Sequence, residues 1–215
     1  MEANFWHRKW EQGEIGFHES EANPFLVAHF ETLNLPKGSR VFLPLCGKTR
    51  DAAWLLARGY RVTGAELSEL AINQLFEELG LEPETSKAGQ LVRYRAEDID
   101  IFAGDIFAVS AEYIGPIGAI YDRAALVALP ACVREHYTSH LMNITGTAPQ
   151  LLITYEYDQL LMEGPPFSVS ECEVEQHYGA SYQLKSVGSK DVAGGLRGTV
   201  KSTETAWLLQ RNKVD

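Results

Sequence analysis

From residue 40 onward, short apolar runs alternate with stretches whose apolar residues recur every three or four positions. That alternation predicts stacked strand-helix-strand units around a largely parallel sheet. Arg40 to Pro44 reads as the first strand, and Thr49 as the N-cap of a helix through Asp51, Trp54, Leu55 and Leu56 that closes at Gly59. Tyr60 to Ala65 reads as the second strand. Ser68 then caps a helix with Leu70, Ile72, Leu75, Phe76 and Leu79 on its apolar face, ended by Gly80. Short strands are expected at Leu91 to Arg95 and Ile99 to Ala103, a turn at Asp105-Ile106-Phe107, and a buried strand at Gly118 to Tyr121. Pro130 suits the first turn of a helix through Val133, Tyr137, Leu141 and Met142, followed by a strand at Gln150 to Tyr155. Gly164-Pro165-Pro166 breaks the pattern, and Ser170 with Glu173 has the spacing of a capping box for a helix ending near Gly179. The last strands, around Tyr182 to Val187 and Thr205 to Gln210, flank a glycine-rich stretch that suits a loop or hairpin, so an antiparallel edge is expected.

Residues 1–39 differ. They read as a helical, tryptophan-containing extension in which Asn23-Pro24 starts a helix through Phe25, Leu26, Val27, Phe30 and Leu33. The expectation is a single domain over 1–215, with 1–39 as a cover or lid at the sheet's carboxyl edge. A chain of 215 residues that is 45% hydrophobic can bury such a core. Twenty-nine carboxylates against 19 Lys and Arg give a net charge of −10, which argues against nucleic acid as partner and for a small-molecule enzyme. Cys46, Cys132 and Cys172 lack paired spacing, so neither metal nor disulfide is expected, and reduced thiols fit a cytoplasmic protein. Neither a signal peptide nor a membrane-spanning run is visible.

Ligands of open α/β sheets bind beyond the carboxyl ends of the strands. The loop after the first strand, Leu45-Cys46-Gly47-Lys48, has a single glycine where dinucleotide folds show three, which disfavours a nicotinamide reductase. Glu66 follows Leu45 by 21 residues, near the interval at which an acid accepts hydrogen bonds from a ribose. A solvent-facing glutamate near a helix start is the plainer alternative. A ribose acceptor without a pyrophosphate grip points to S-adenosylmethionine, which carries no phosphate. Arg123, at the end of the fourth strand of the parallel set, suits a cofactor carboxylate or an anionic substrate, or else an ion pair with Asp122. Trp6 and Trp10 share a helix face at i, i+4, for packing or for enclosing a heterocycle or sulfonium. His18 is the most suggestive histidine, whereas His29, His136, His140 and His177 read as surface or packing residues. No hydrolase triad stands out.

Together, Trp6-x-x-x-Trp10-x-x-Gly13-x-x-Gly16-Phe17-His18, Val41-Phe-Leu-Pro-Leu-Cys-Gly-Lys48, Val62-Thr-Gly-Ala-Glu-Leu-Ser68, Gly104-Asp-Ile-Phe107 and Tyr121-Asp-Arg-Ala-Ala-Leu-Val-Ala-Leu-Pro130 resemble the thiopurine S-methyltransferase family in its bacterial form. The resemblance implies a class I, Rossmann-like α/β methyltransferase with a mostly parallel seven-stranded sheet and an antiparallel edge. It implies that Trp10, Leu45, Glu66 and Arg123 contact S-adenosylmethionine, with Ile106 and its neighbour Asp105 on the adenine side. It further implies methyl transfer to thiopurines and aromatic or heterocyclic thiols, with selenium and tellurium compounds and tellurite resistance as further associations. The expected partner is a small thiol or metalloid, with no membrane, and the expected state a monomer. Vertebrate relatives carry Gly where this chain has Ala124. No acid or base is assigned, because the donor carries its own leaving group. A non-catalytic nucleoside-binding protein using the same pocket is the alternative.

Overall fold

The structure, a computed structural model, describes residues 3–16 and 18–212; Phe17 of the motif above lies outside them. Nine strands form one sheet: β1 (Arg40–Pro44), β2 (Arg61–Glu66), β3 (Glu84–Ala88), β4 (Leu91–Ala96), β5 (Ile99–Ala103), β6 (Ala119–Arg123), β7 (Gln150–Glu156), β8 (Tyr182–Asp191) and β9 (Thr203–Arg211). Their order is β3-β4-β5-β2-β1-β6-β7-β9-β8. The five central strands pair in parallel, and antiparallel pairing extends the sheet at both sides. The α/β class and antiparallel edge are as expected, but the strands number nine rather than seven. Eight of the nine match strands read from the sequence, β4 among them at Leu91; the one not read is β3, which pairs with β4 as a hairpin. Four of the five residues of β3 are exposed, and its sequence lacks the apolar alternation that would reveal it.

The helices are α1 (Ala3–Glu11), α2 (Pro24–His29), α3 (Arg50–Ala57), α4 (Glu69–Leu79), α5 (Ala111–Ile114), α6 (Ala131–Thr145) and α7 (Glu171–Tyr178). Their starts follow the capping chemistry read from sequence. Asn23, Thr49 and Ser68 accept from the N–H of Phe25, Asp51 and Ala71, and Gly80 closes α4 in the left-handed conformation. Two details differ. The run after Asn23 tightens into a 3-10 turn at Phe30–Leu33, and Pro130 stands just before α6 rather than within it. Ser170 caps Glu173 N–H at 3.3 Å, but the Glu173 carboxylate binds Arg134 Nη1 at 2.6 Å instead of returning to Ser170, so the expected box is half formed.

Side chains alternate across the strands, as β1 illustrates. Val41 and Leu43 join Leu26, Phe30, Leu55 and Ile72 in the core under α2, α3 and α4. Phe42 points the other way, into the core with Tyr137, Leu141 and Tyr178 under α6 and α7. Each such side chain contributes about 1.5 to 3 kcal/mol of burial. Both faces being covered, the accessible edge is the carboxyl end, where β1 has β2 on one side and β6 on the other and the loops diverge. No helix among the described residues is long and apolar enough to cross a membrane.

Candidate active site

A cavity of about 710 Å³ opens at that edge, floored by the ends of β1, β2, β6 and β7 and bordered by α1 and the segment after it. Four expected site residues meet there: Trp10, Leu45, Glu66 and Arg123. The backbone turns sharply at two points on its floor. Leu45, just after β1, has φ of 46°, and Ala124, just after β6, has φ of 66°. Both are left-handed conformations that L-residues adopt at a cost, and such strain collects where chain ends are aimed at a function.

Glu66 holds this floor together. Its Oε2 accepts from Gly47 N–H at 2.8 Å and its Oε1 from Ser68 N–H at 2.9 Å, tying the first loop to the start of α4. Burial raises its pKa, opposed by the N–H groups of Ser68, Gly47 and Leu67. It is therefore not the solvent-facing glutamate of the plainer alternative. Three backbone N–H groups on a carboxylate with about four acceptor sites leave it able to accept from a ligand. Gly47, with φ of 53°, lets the indole of Trp10 come close: a Cβ there would lie 2.9 Å from Trp10 Cζ2.

Arg123 pairs not with Asp122 but with Glu19, Nη2 to Oε1 at 2.7 Å. Asp122 points to the opposite face of β6, where it accepts from Tyr137 Oη at 2.8 Å and Leu126 N–H at 3.1 Å. Burial alone would lower the guanidinium pKa, but Glu19, Tyr121, Asp51 and Tyr155 raise it, so Arg123 stays charged. Cys46 also borders the cavity, and burial beside Glu66 pushes its thiol well above the usual range. His18 borders it too, its pKa lowered by burial and by Lys48. Lys48 itself is held by Glu78 at 3.0 Å. Trp6 joins Trp10 on the wall, as the i, i+4 spacing predicts.

Ile106 lies apart from this group. Its side chain is wholly buried in the core under α6, and its carbonyl accepts from His140 Nε2 at 2.9 Å. Asp105 is exposed and caps Phe107 N–H. A second hollow of about 490 Å³ lies nearby, bordered by His7 and Glu11 of α1, by Leu67 and Ser68, and by Ala103 and Gly104. Leu67 borders both hollows, which places Glu66 at their junction. Among the described residues no cluster suited to a metal occurs.

Sequence reasoning passed over Glu19, Tyr155 and Arg197. Tyr155 donates to Glu204 at 3.1 Å, and Arg197 Nη2 donates to Pro165 O at 2.9 Å, closing one side of the cavity. These contacts join segments far apart in the chain and leave no local spacing to read.

A family model for thiopurine S-methyltransferase matches residues 1–212. Thiopurine S-methyltransferases of Xanthobacter autotrophicus and Teredinibacter turnerae are 52% and 51% identical over 212 residues, covering 98% and 99% of this chain and 100% and 99% of theirs. Among solved structures, a SAM-dependent methyltransferase from Anabaena variabilis aligns with TM-score 0.68 at 15% identity, over 98% of this chain and 95% of that one. A 1,6-didemethyltoxoflavin-N1-methyltransferase from Burkholderia thailandensis aligns with TM-score 0.65 at 15% identity, over 97% and 87%. At that identity the two structures speak to the fold. The sequence matches run nearly end to end, and on them this chain belongs to the thiopurine S-methyltransferase family.

Proposed function

We propose that this protein transfers the methyl group of S-adenosylmethionine to the sulfur of thiopurines and other aromatic or heterocyclic thiols. The observation that carries the reading is Glu66, a buried carboxylate at the junction of two hollows, with acceptor capacity beyond the backbone N–H groups it binds. A ribose hydroxyl is a donor and matches it. The loop beside it has the lone glycine of a site without a pyrophosphate, and the Arg123 guanidinium suits the donor's carboxylate. The residues present therefore fit the donor. Trp10 and Leu45 would line its path, and the hollow beside Leu67, Ser68 and Gly104 suits its base. Ile106 borders neither hollow and its side chain belongs to the core, so the adenine-side reading falls on Ala103 and Gly104 of the same segment.

When bound, the donor supplies a methyl on a sulfonium that is already a good leaving group. The chain's task is then orientation, which contributes up to about 7 to 11 kcal/mol in favourable systems. Phe5, Trp6, Val127, Pro165 and Leu196 make an apolar wall suited to a flat acceptor. Heterocyclic thiols ionise readily, so no base is assigned. Cys46, kept as a thiol by burial and Glu66, does not compete for the methyl group. The same soft-nucleophile chemistry extends the proposal to selenium and tellurium compounds, in a monomeric cytoplasmic enzyme.

Labelled methyl transfer to a thiopurine, an aromatic thiol, selenite and tellurite tests this. Methylated thiol products are expected. Tight binding of S-adenosylhomocysteine with no transfer to any acceptor would favour the nucleoside-binding alternative. Glu66→Gln turns one acceptor into a donor facing backbone N–H, and is expected to weaken S-adenosylhomocysteine binding by about 1 to 3 kcal/mol. Calorimetric titration measures it, and an unchanged affinity would refute the ribose assignment.

A further inference from the structure

The Arg123–Glu19 pair joins two distant parts of the chain. Arg123 ends β6, and its side chain is 11% exposed; Glu19, 44% exposed, lies in the irregular segment between α1 and α2. Both border the large cavity. Other carboxylates there have different partners: Glu14 holds Lys9, and Asp51 accepts from Asn23 N–H and Tyr121 Oη. A guanidinium this buried requires a carboxylate, because an uncompensated buried charge is strongly destabilising. A second carboxylate brought to the same guanidinium meets repulsion from the first.

We propose that Glu19 is a competing internal ligand for Arg123, so that a donor carboxylate gains the guanidinium by exchange with Glu19 and not by simple addition. Glu19 is then a specificity-determining residue that sets how strongly ligands are sorted by their carboxylate. The inference rests on the donor-binding reading above. The exchange also reaches the cover. Glu19 stands four residues before Asn23, whose N–H is bound to Asp51 at 2.7 Å. Freeing Glu19 removes a tie of residues 18–22 as the donor enters, which couples donor binding to His18 and Glu19 on the cavity border.

Titration of the wild type, Glu19→Gln and Glu19→Asp with two ligands tests the exchange. S-adenosylhomocysteine carries the amino-acid end; 5′-methylthioadenosine keeps the nucleoside and lacks it. Glu19→Gln is expected to tighten S-adenosylhomocysteine about five- to tenfold and to leave 5′-methylthioadenosine within about twofold. Glu19→Asp, which withdraws the carboxylate by one methylene, is expected to shift the first ligand in the same direction by less, and it carries the test if the amide variant does not fold. In an Arg123→Gln background the gain should vanish. An equal change for both ligands, or none for S-adenosylhomocysteine, overturns the proposal. A wild type that binds neither ligand overturns the donor reading itself.

Discussion

In β1 and β2 nearly every residue is buried, whereas among the described residues from 3 to 22 only Trp10 is. The strands are fixed by apolar area on both faces. Of the N-terminal extension, Phe25, Leu26, Phe30 and Leu33 belong to the core, while the part before Asn23 meets the sheet edge through contacts that include the Trp10 indole at Gly47 and the ion pair of Glu19 with Arg123. Burial is cooperative and expensive to undo in parts, while a ring and a charge pair detach singly. The floor is therefore expected to hold its shape while the segment before Asn23 opens first, although both border one cavity.

The largest expected effect falls on the rigid side. Phe42→Ala removes a wholly buried ring from the α6 face and should cost about 3 to 5 kcal/mol in denaturant unfolding. A cost near that of a surface change would break the comparison. Next is Asp122, which burial raises from 3.8 to about 6 against the hydrogen bonds of Tyr137, Leu126 and Ala125. Between those values the native state binds more protons than the unfolded one, so stability should fall as pH rises from about 4 to 6 and then level off, by about 3 kcal/mol at most. Asp122→Asn should flatten that slope in pH-dependent melting. If the slope survives, another group is responsible. Hydrogen exchange sharpens the contrast directly: amides of α1 should open at a free energy lower by at least about 2 kcal/mol than those of β1. Equal protection would mean that cover and floor unfold together. The smallest effect is at Ala124, whose φ of 66° favours glycine; Ala124→Gly should gain up to about 1 kcal/mol in thermal unfolding.

The parallel core was legible because each unit carries its own punctuation. Thr49, Ser68 and Gly80 bracket helices whose apolar spacing agrees with them, and strand ends then place Leu45, Glu66 and Arg123 on one edge. β3 was not legible, since pairing with β4 alone makes it a strand. Ile106 shows a different limit: position in a motif tells which loop faces the site, not which atoms do. For Arg123, sequence offered its neighbour Asp122, but alternation along β6 turns that carboxylate toward Tyr137, and the partner comes from 104 residues earlier at Glu19. Only folding brings such a pair together.

Gly47 carries one more implication. Because it has no side chain, the Trp10 indole can settle on the first loop; a methyl placed there would stand 2.9 Å from Cζ2 and act as a doorstop. At a backbone cost of about 1 kcal/mol for φ of 53°, Gly47→Ala would hold the roof ajar. Under the proposed function the variant would exchange water-tightness for traffic at the acceptor's entrance, with the Gly47 N–H to Glu66 bond as the point where the floor would register the strain.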